Sequence, residues 1–152
     1  MLGYESEFGY EEALNLINAM KFTEKCTGYI ATGIMLNERN DPKIFEPVVH
    51  SIKMDLTSGN EVCECLALAT LANIGGLELS KELGETVMKK AFGEIRSSLQ
   101  VRKRAVICLL SFFRRNHALY NQETWLRAFK EMLNETNFGF LLSATALIHF
   151  TI

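Results

Sequence analysis

The residues in this chain best suited to chemistry are four cysteines, Cys26, Cys63, Cys65 and Cys108, and three histidines, His50, His117 and His149. Cys63-x-Cys65, with His50 upstream, has the residue types of a zinc site. The spacing argues against one, because positions two apart on a helix point about 200° apart and no second Cys or His pair completes a tetrahedron. Cys26 and Cys108 would need a neighbouring base to act as nucleophiles, and His117 falls at a loop while His149 falls in an apolar run. There is no G-x-x-x-x-G-K-S/T, G-x-G-x-x-G or H-E-x-x-H pattern, so neither a phosphate cradle nor a zinc-protease helix is expected. Asn134-Glu135-Thr136 has the form of a glycosylation acceptor, which has meaning only in a secreted chain. The expectation is a chain with no catalytic residue, no metal and no cofactor.

Charge leaves one candidate surface. Between Arg96 and Arg115 stand six basic residues, Arg96, Arg102, Lys103, Arg104, Arg114 and Arg115, and no acidic one, whereas Met1 to Met20 holds four glutamates and no base. Arg96, Lys103, Arg104, Arg114 and Arg115 could form a ridge for anionic lipid headgroups or for an acidic patch on a partner protein. The competing reading is the solvated back of a helix. Arg102 stands apart: at about 100° per residue it turns into the apolar arc of its helix, so it needs a carboxylate or free carbonyls nearby.

These residues must be positioned by helices. Runs opening at Tyr29, Leu66, Ala105 and Ala144 recur at 37, 39 and 39 residues, and a second series, Val48, Val87 and Leu126, recurs between them at 39 and 39. A period near 40 built from two helices describes a HEAT or armadillo-like α-α superhelix, an all-α solenoid of about four helix pairs. The helices are expected at Phe8 to Met20, Glu24 to Leu36 behind a Thr23 cap, and a third entered through Asp41-Pro42 with Pro47 in its first turn or kinking it. Asn60 should cap Glu61 to Ile74, with Gly75-Gly76 as the left-handed stop, and a weakened segment should follow from Leu79 to Phe92. Leu99 to Arg115, Gln122 to Leu133 capped by Asn121, and Phe138 to the end complete about eight helices and no strand. The last has apolar residues in every direction and no charge, so it should be covered all round. Solenoids end in a repeat with a polar outer face, so this pattern is expected of a piece of a longer array, able to dimerise through this C-terminal helix.

Composition bounds the function class. With 152 residues, 48% hydrophobic and 22% charged, one substantial core is expected, as a single segment 1–152. A net charge of −2 predicts no nucleic-acid partner. Cysteines inside helical apolar runs read as reduced, the acidic N-terminal stretch does not read as a signal peptide, and the longest uncharged run, 16 residues, is shorter than the roughly 20 that span a bilayer. A cytoplasmic location is the simplest expectation.

Several blocks in order carry a resemblance: Met1-Leu2-Gly3-Tyr4, Phe8-Gly9, Lys21-Phe22-Thr23-Glu24-Lys25 with Gly28-Tyr29, Ile52-Lys53-Met54-Asp55-Leu56, Leu66-Ala67-Leu68, Asn73-Ile74-Gly75, Arg102-Lys103-Arg104-Ala105 and Cys108-Leu109-Leu110, reaching Asn134 and Gly139. Together they resemble the N-terminal trunk of a large adaptin, a subunit of the clathrin adaptor complexes. Trp125 and Ser143 to Ile148 lean towards α-adaptin; Met1 to Tyr4 and Leu36-Asn37-Glu38-Arg39 look more like γ-adaptin. The resemblance implies a right-handed helical superhelix acting as a scaffold in vesicle-mediated protein transport, with a small σ, a β-type large and a medium μ subunit as partners. It also implies peripheral association of the whole complex with clathrin-coated pits or Golgi and endosomal membranes. The family's phosphoinositide-binding and dileucine-cargo residues lie upstream of the matched part, so none is assigned here. A free-standing HEAT or armadillo module that binds proteins unrelated to coats is the alternative, and a polar-ended solenoid with an Asn or Trp ladder would mark it.

Overall fold

A computed structural model describes residues 8–36, 42–92, 97–117 and 122–151. Among them are eight helices and no strand: α1 (Tyr10–Ile17), α2 (Phe22–Met35), α3 (Pro42–Leu56), α4 (Glu61–Ile74), α5 (Leu77–Phe92), α6 (Leu99–Arg115), α7 (Gln122–Leu133) and α8 (Phe138–Thr151). They form two compact units, Met1–Ile74 and Gly75–Ile152. Each is built alike. In the first, α1 packs on α2 and α3 while α4 covers α2 and α3; in the second, α5 packs on α6 and α7 while α8 covers α6 and α7. First helices of successive pairs thus form one layer and second helices another, the packing expected of an α-α solenoid.

The repeat is present in a register one residue away from that read off the sequence. Tyr29, Ala105 and Ala144 are buried as expected, but Leu66 is only half-buried, and its neighbour Ala67 takes the core position at 0% exposure. In the second series Val48 and Val87 are buried, whereas Leu126 is 61% exposed and Trp125 lies inside at 5%. Leu66-Ala67-Leu68-Ala69 and Trp125-Leu126 present adjacent apolar residues, and hydrophobicity alone does not choose between them. The corrected spacings, Tyr29 to Ala67 to Ala105 to Ala144, are 38, 38 and 39 residues.

Helix ends differ from expectation where backbone geometry overrides side-chain signals. α1 is shorter, Tyr10–Ile17, and starts at Gly9, which takes the left-handed φ of 89°. α2 starts at Phe22 with Lys21 at its cap position, and Thr23 lies inside the helix, because the Lys25 amide already donates to the Lys21 carbonyl at 3.0 Å. Pro47 is the sixth residue of α3, well inside it. Asn60 caps α4 as expected, its Oδ1 accepting from the Val62 amide at 3.0 Å. The left-handed glycine of this region is Gly59, φ 73°, and neither Gly75 nor Gly76 has positive φ. α5 is one helix, with Gly84 buried in its packed face. The expected Asn121 cap falls outside the described residues.

The closest helix approach is at Gly28 on α2. A Cβ there would lie 2.5 Å from the Ile17 amide nitrogen and 2.7 Å from the Leu16 carbonyl carbon, both backbone atoms of α1 that cannot step aside like a side chain. Gly33, one and a half turns on, faces Asn73 and Thr70 of α4 with an added Cβ no closer than 3.5 Å, an ordinary contact. Gly28→Ala should therefore force α1 off α2 and cost about 1–3 kcal/mol in urea unfolding. Gly33→Ala should be neutral or stabilise by up to about 1 kcal/mol, since alanine is the better helix former. Equal effects from the two would contradict the close approach.

Candidate interaction surface

α6 is the helix that carries the basic candidates. Ser98 caps it, its side chain accepting from the Val101 amide at 3.3 Å, and no acidic residue follows before Asn116. Val101, Ala105, Val106, Cys108, Leu109, Phe112 and Phe113 are buried along it. That is the arc expected from the sequence, with Cys108 added and Leu110 only half-buried.

The candidate residues do not make one ridge. Arg96 falls outside the described residues. Lys103 is half-buried and lies across the start of α8, its Nζ 2.8 Å from where a Cβ on Gly139 would be. Arg114 is exposed at its edge but stacks over the Phe150 ring of α8, 4.0 Å from the centroid. Arg104 and Arg115 are exposed and share the outer side of α6, eleven residues and three turns apart, with Ile107, 47% exposed, between them. Thus Lys103 and Arg114 serve to hold α8, and Arg104, Ile107 and Arg115 make the outward face.

Arg102 behaves as its position demands. Its guanidinium pairs with the Glu135 carboxylate, its Nε donates to the Ala91 carbonyl at 3.3 Å, and it sits 4.6 Å over the Phe140 ring. One side chain thereby ties the end of α5, the segment after α7 and the first turn of α8 to α6.

The first unit has a counterpart that the sequence did not reveal. Lys25 of α2 donates to the Ile17 carbonyl at 2.7 Å, the last residue of α1, and pairs with Asp55 near the end of α3 at 2.7 Å. Asp55 also accepts from the Tyr29 hydroxyl, and Thr70 of α4 donates to the Tyr29 carbonyl at 3.2 Å. Burial, then the bond to Asp55 and its charge, then Cys63, push the Tyr29 hydroxyl far above the usual phenol range. The available signal was a tyrosine at a repeat position otherwise held by alanine, since a buried hydroxyl needs a partner.

The residues read first for chemistry are dispersed. Cys26, Cys63 and Cys65 are half-buried free thiols on α2 and α4, His50 is exposed on α3, and among the described residues no three His, Cys, Asp or Glu side chains come together as a metal set. Cys108 is fully buried, and burial raises its thiol far out of the reactive range, Arg115 opposing only weakly. His117 packs edge-on against Phe113 at 5.0 Å and His149 against Phe150 at 5.6 Å, both exposed.

Comparison with known families decides the affiliation: the model of the adaptin N terminal region matches residues 1–151. The chain belongs to that family. Among curated relatives, this adaptin N-terminal region is 38% identical over 148 residues to the AP-2 complex subunit alpha-1 of Arabidopsis thaliana, covering 97% of this chain and 14% of that protein. It is 36% identical to the AP-2 complex subunit alpha-2 of Dictyostelium discoideum, with 97% and 15% covered. To the AP-1 complex subunit gamma-like 2 of Mus musculus it is 34% identical, with 97% and 18% covered. The chain thus spans about a seventh of the length of the AP-2 relatives it matches. As an adaptin N-terminal region its all-α architecture is a HEAT/armadillo-like helical solenoid. Among its described residues no helix is long and apolar enough to cross a membrane.

Two outcomes follow for this adaptin segment. Lys25→Met should cost about 3 kcal/mol, because it leaves Asp55 short of its cation in a site where both partners are less than a sixth exposed, and Arg102→Met about 1–2 kcal/mol at its more open site, both read by chemical unfolding. Tyr29 and Cys108 are each harder to ionise folded than unfolded, so each contributes stability that is fully present below its unfolded pKa. That stability is lost as pH rises, from about 8.5 for the thiol and about 10 for the phenol. Stability measured against pH should fall above pH 8.5, and Tyr29→Phe should flatten the part of the fall above pH 10; an unchanged slope in that variant would show that Tyr29 is not its source.

Proposed function

We propose that this chain is a scaffold segment of a clathrin adaptor large subunit, supporting assembly of the complex in vesicle-mediated intracellular transport. The observation that carries the reading is the family match over residues 1–151, joined to relatives whose names make them subunits of AP-2 and AP-1 complexes. The residues agree with it: the polar side chains that could have formed a site are spent on tying helices together, as Lys25, Asp55, Tyr29, Arg102 and Glu135 are. On this reading residues 1–152 are one trunk segment of a longer subunit of the α or γ class, with small σ, β-type large and medium μ subunits as partners. It works in the cytoplasm, peripheral on coated pits or Golgi and endosomal membranes, and has no catalytic step of its own. Arg104 and Arg115, separated by Ile107, are the part of the basic set left to meet an acidic partner surface.

The test is a chimera in which these residues replace the matched 148-residue stretch of the Dictyostelium AP-2 alpha subunit. It should copurify with the other subunits of that complex; a chimera that folds yet recruits none of them would end the proposal. Arg104→Glu with Arg115→Glu in that chimera should weaken subunit association at low salt, with the loss shrinking as salt rises. Lys103→Glu with Arg114→Glu should instead lower the melting temperature, because those two cations hold α8.

A further inference from the structure

Two helix faces are exposed, free of charge and alike in length. On α8 the core side is Phe140, Ala144 and Leu147, all at 0% exposure. The opposite side is Phe138, Leu142, Thr145 and His149, with Phe138 80% and Leu142 64% exposed. On α2 the packed side centres on Gly28, Tyr29 and Thr32. The opposite side runs Thr23, Cys26, Thr27, Ile30 and Ile34, with Ile30 58% and Ile34 59% exposed. Each stripe extends over eleven residues, roughly 16 Å of helix. Both lie on second helices of their pairs, the layer in which α2 packs against α4 and α6 against α8.

Charge separates the two units that carry these faces. Met1–Ile74 holds eleven acidic and five basic residues, a net charge of −6; Gly75–Ile152 holds seven acidic and eleven basic, a net +4. From these observations we infer that this chain binds a second copy of itself head to tail, the outer face of α8 in one copy lying against the outer face of α2 in the next. The contact would continue the helix-on-helix packing found inside each unit. It would bury four large apolar side chains that now face water and bring a basic unit against an acidic one. The two like-with-like pairings fit the charges less well, since α8 on α8 sets +4 against +4 and α2 on α2 sets −6 against −6. A heterologous contact of this kind leaves one face of each kind open on every assembly, so association does not stop at two copies. The inference goes beyond the scaffold role and does not depend on which adaptor complex the chain serves.

Sedimentation velocity of the 152-residue chain over rising concentration tests it, with two variants that each block one face. Wild type should show a sedimentation coefficient that keeps rising with concentration. Ile30→Glu with Ile34→Glu closes the α2 face, and Phe138→Glu with Leu142→Glu closes the α8 face; each alone should sediment as a monomer. Mixed, the two should form a 1:1 dimer and nothing larger, because one face of each remains open, and added salt should weaken that dimer. The inference is overturned by a wild type that stays monomeric up to its solubility limit. It is equally overturned by a mixture that fails to pair, or by association of the α2-blocked variant alone, which would mean α8 pairs with α8. The substituted positions are solvent-facing, and circular dichroism confirms that each variant is folded; should glutamate disturb one, glutamine at the same positions gives the same readout.

Discussion

A cation carried inward on the first turn of a second helix fixes the geometry of each unit. Lys25 and Arg102 are each the fourth residue of their helices, α2 and α6. Each reaches back to a carbonyl at the end of the preceding helix, Ile17 of α1 or Ala91 of α5. Each also pairs with a carboxylate at or just beyond the end of the following first helix, Asp55 or Glu135. The last carbonyls of a helix lack partners within it and carry its negative dipole end, so a cation there satisfies acceptor and field together. The long stems cross apolar ground that a shorter polar group could not span. With α1 held this way, Gly28 can let the two helix backbones meet, and Tyr29 is enclosed deeply enough to need Asp55. Both clamps join the ends of two successive first helices, which orders one pair against the next.

Some of this was legible in the residues and some was not, for physical reasons. α6 was readable to the residue because charged and apolar positions alternate at helical period and Ser98 stands ahead of it. Arg102 was readable as an inward charge in want of a carboxylate or carbonyl, and it has both. The repeat register was missed by one at Leu66 and at Leu126 because α4 is apolar nearly all round its axis and Trp125-Leu126 offers two candidates side by side. The clamp of the first unit was invisible for another reason. Lys25 and Asp55 are thirty residues apart and meet only when α2 and α3 are placed by their packing. A carboxylate at the end of α3 looks, in sequence, like any solvated helix end.

The basic candidates show how a run of charge loses its meaning on a helix. Lys103 and Arg104 are neighbours in sequence but about 100° apart around the axis, as are Arg114 and Arg115. One of each pair falls toward α8 and the other toward solvent. Since α8 is itself uncharged, its first and last turns receive a lysine stem and a stacked guanidinium, not ion pairs. Dispersion and cation-π attraction therefore hold it, together with the Arg102 contact to Phe140.

Such packing leaves a division of labour among helix faces. The outward sides of α1 and α5 carry Glu11 and Glu12, and Lys81, Glu82, Glu85 and Lys89, so first helices meet water with charge. The outward sides of α2 and α8 carry none. Desolvating a charged face without matched partners is costly, whereas an apolar face gains from any shape that fits it. Recognition by this chain accordingly falls to its second helices, with charge on the surrounding surface selecting among the surfaces that could cover them.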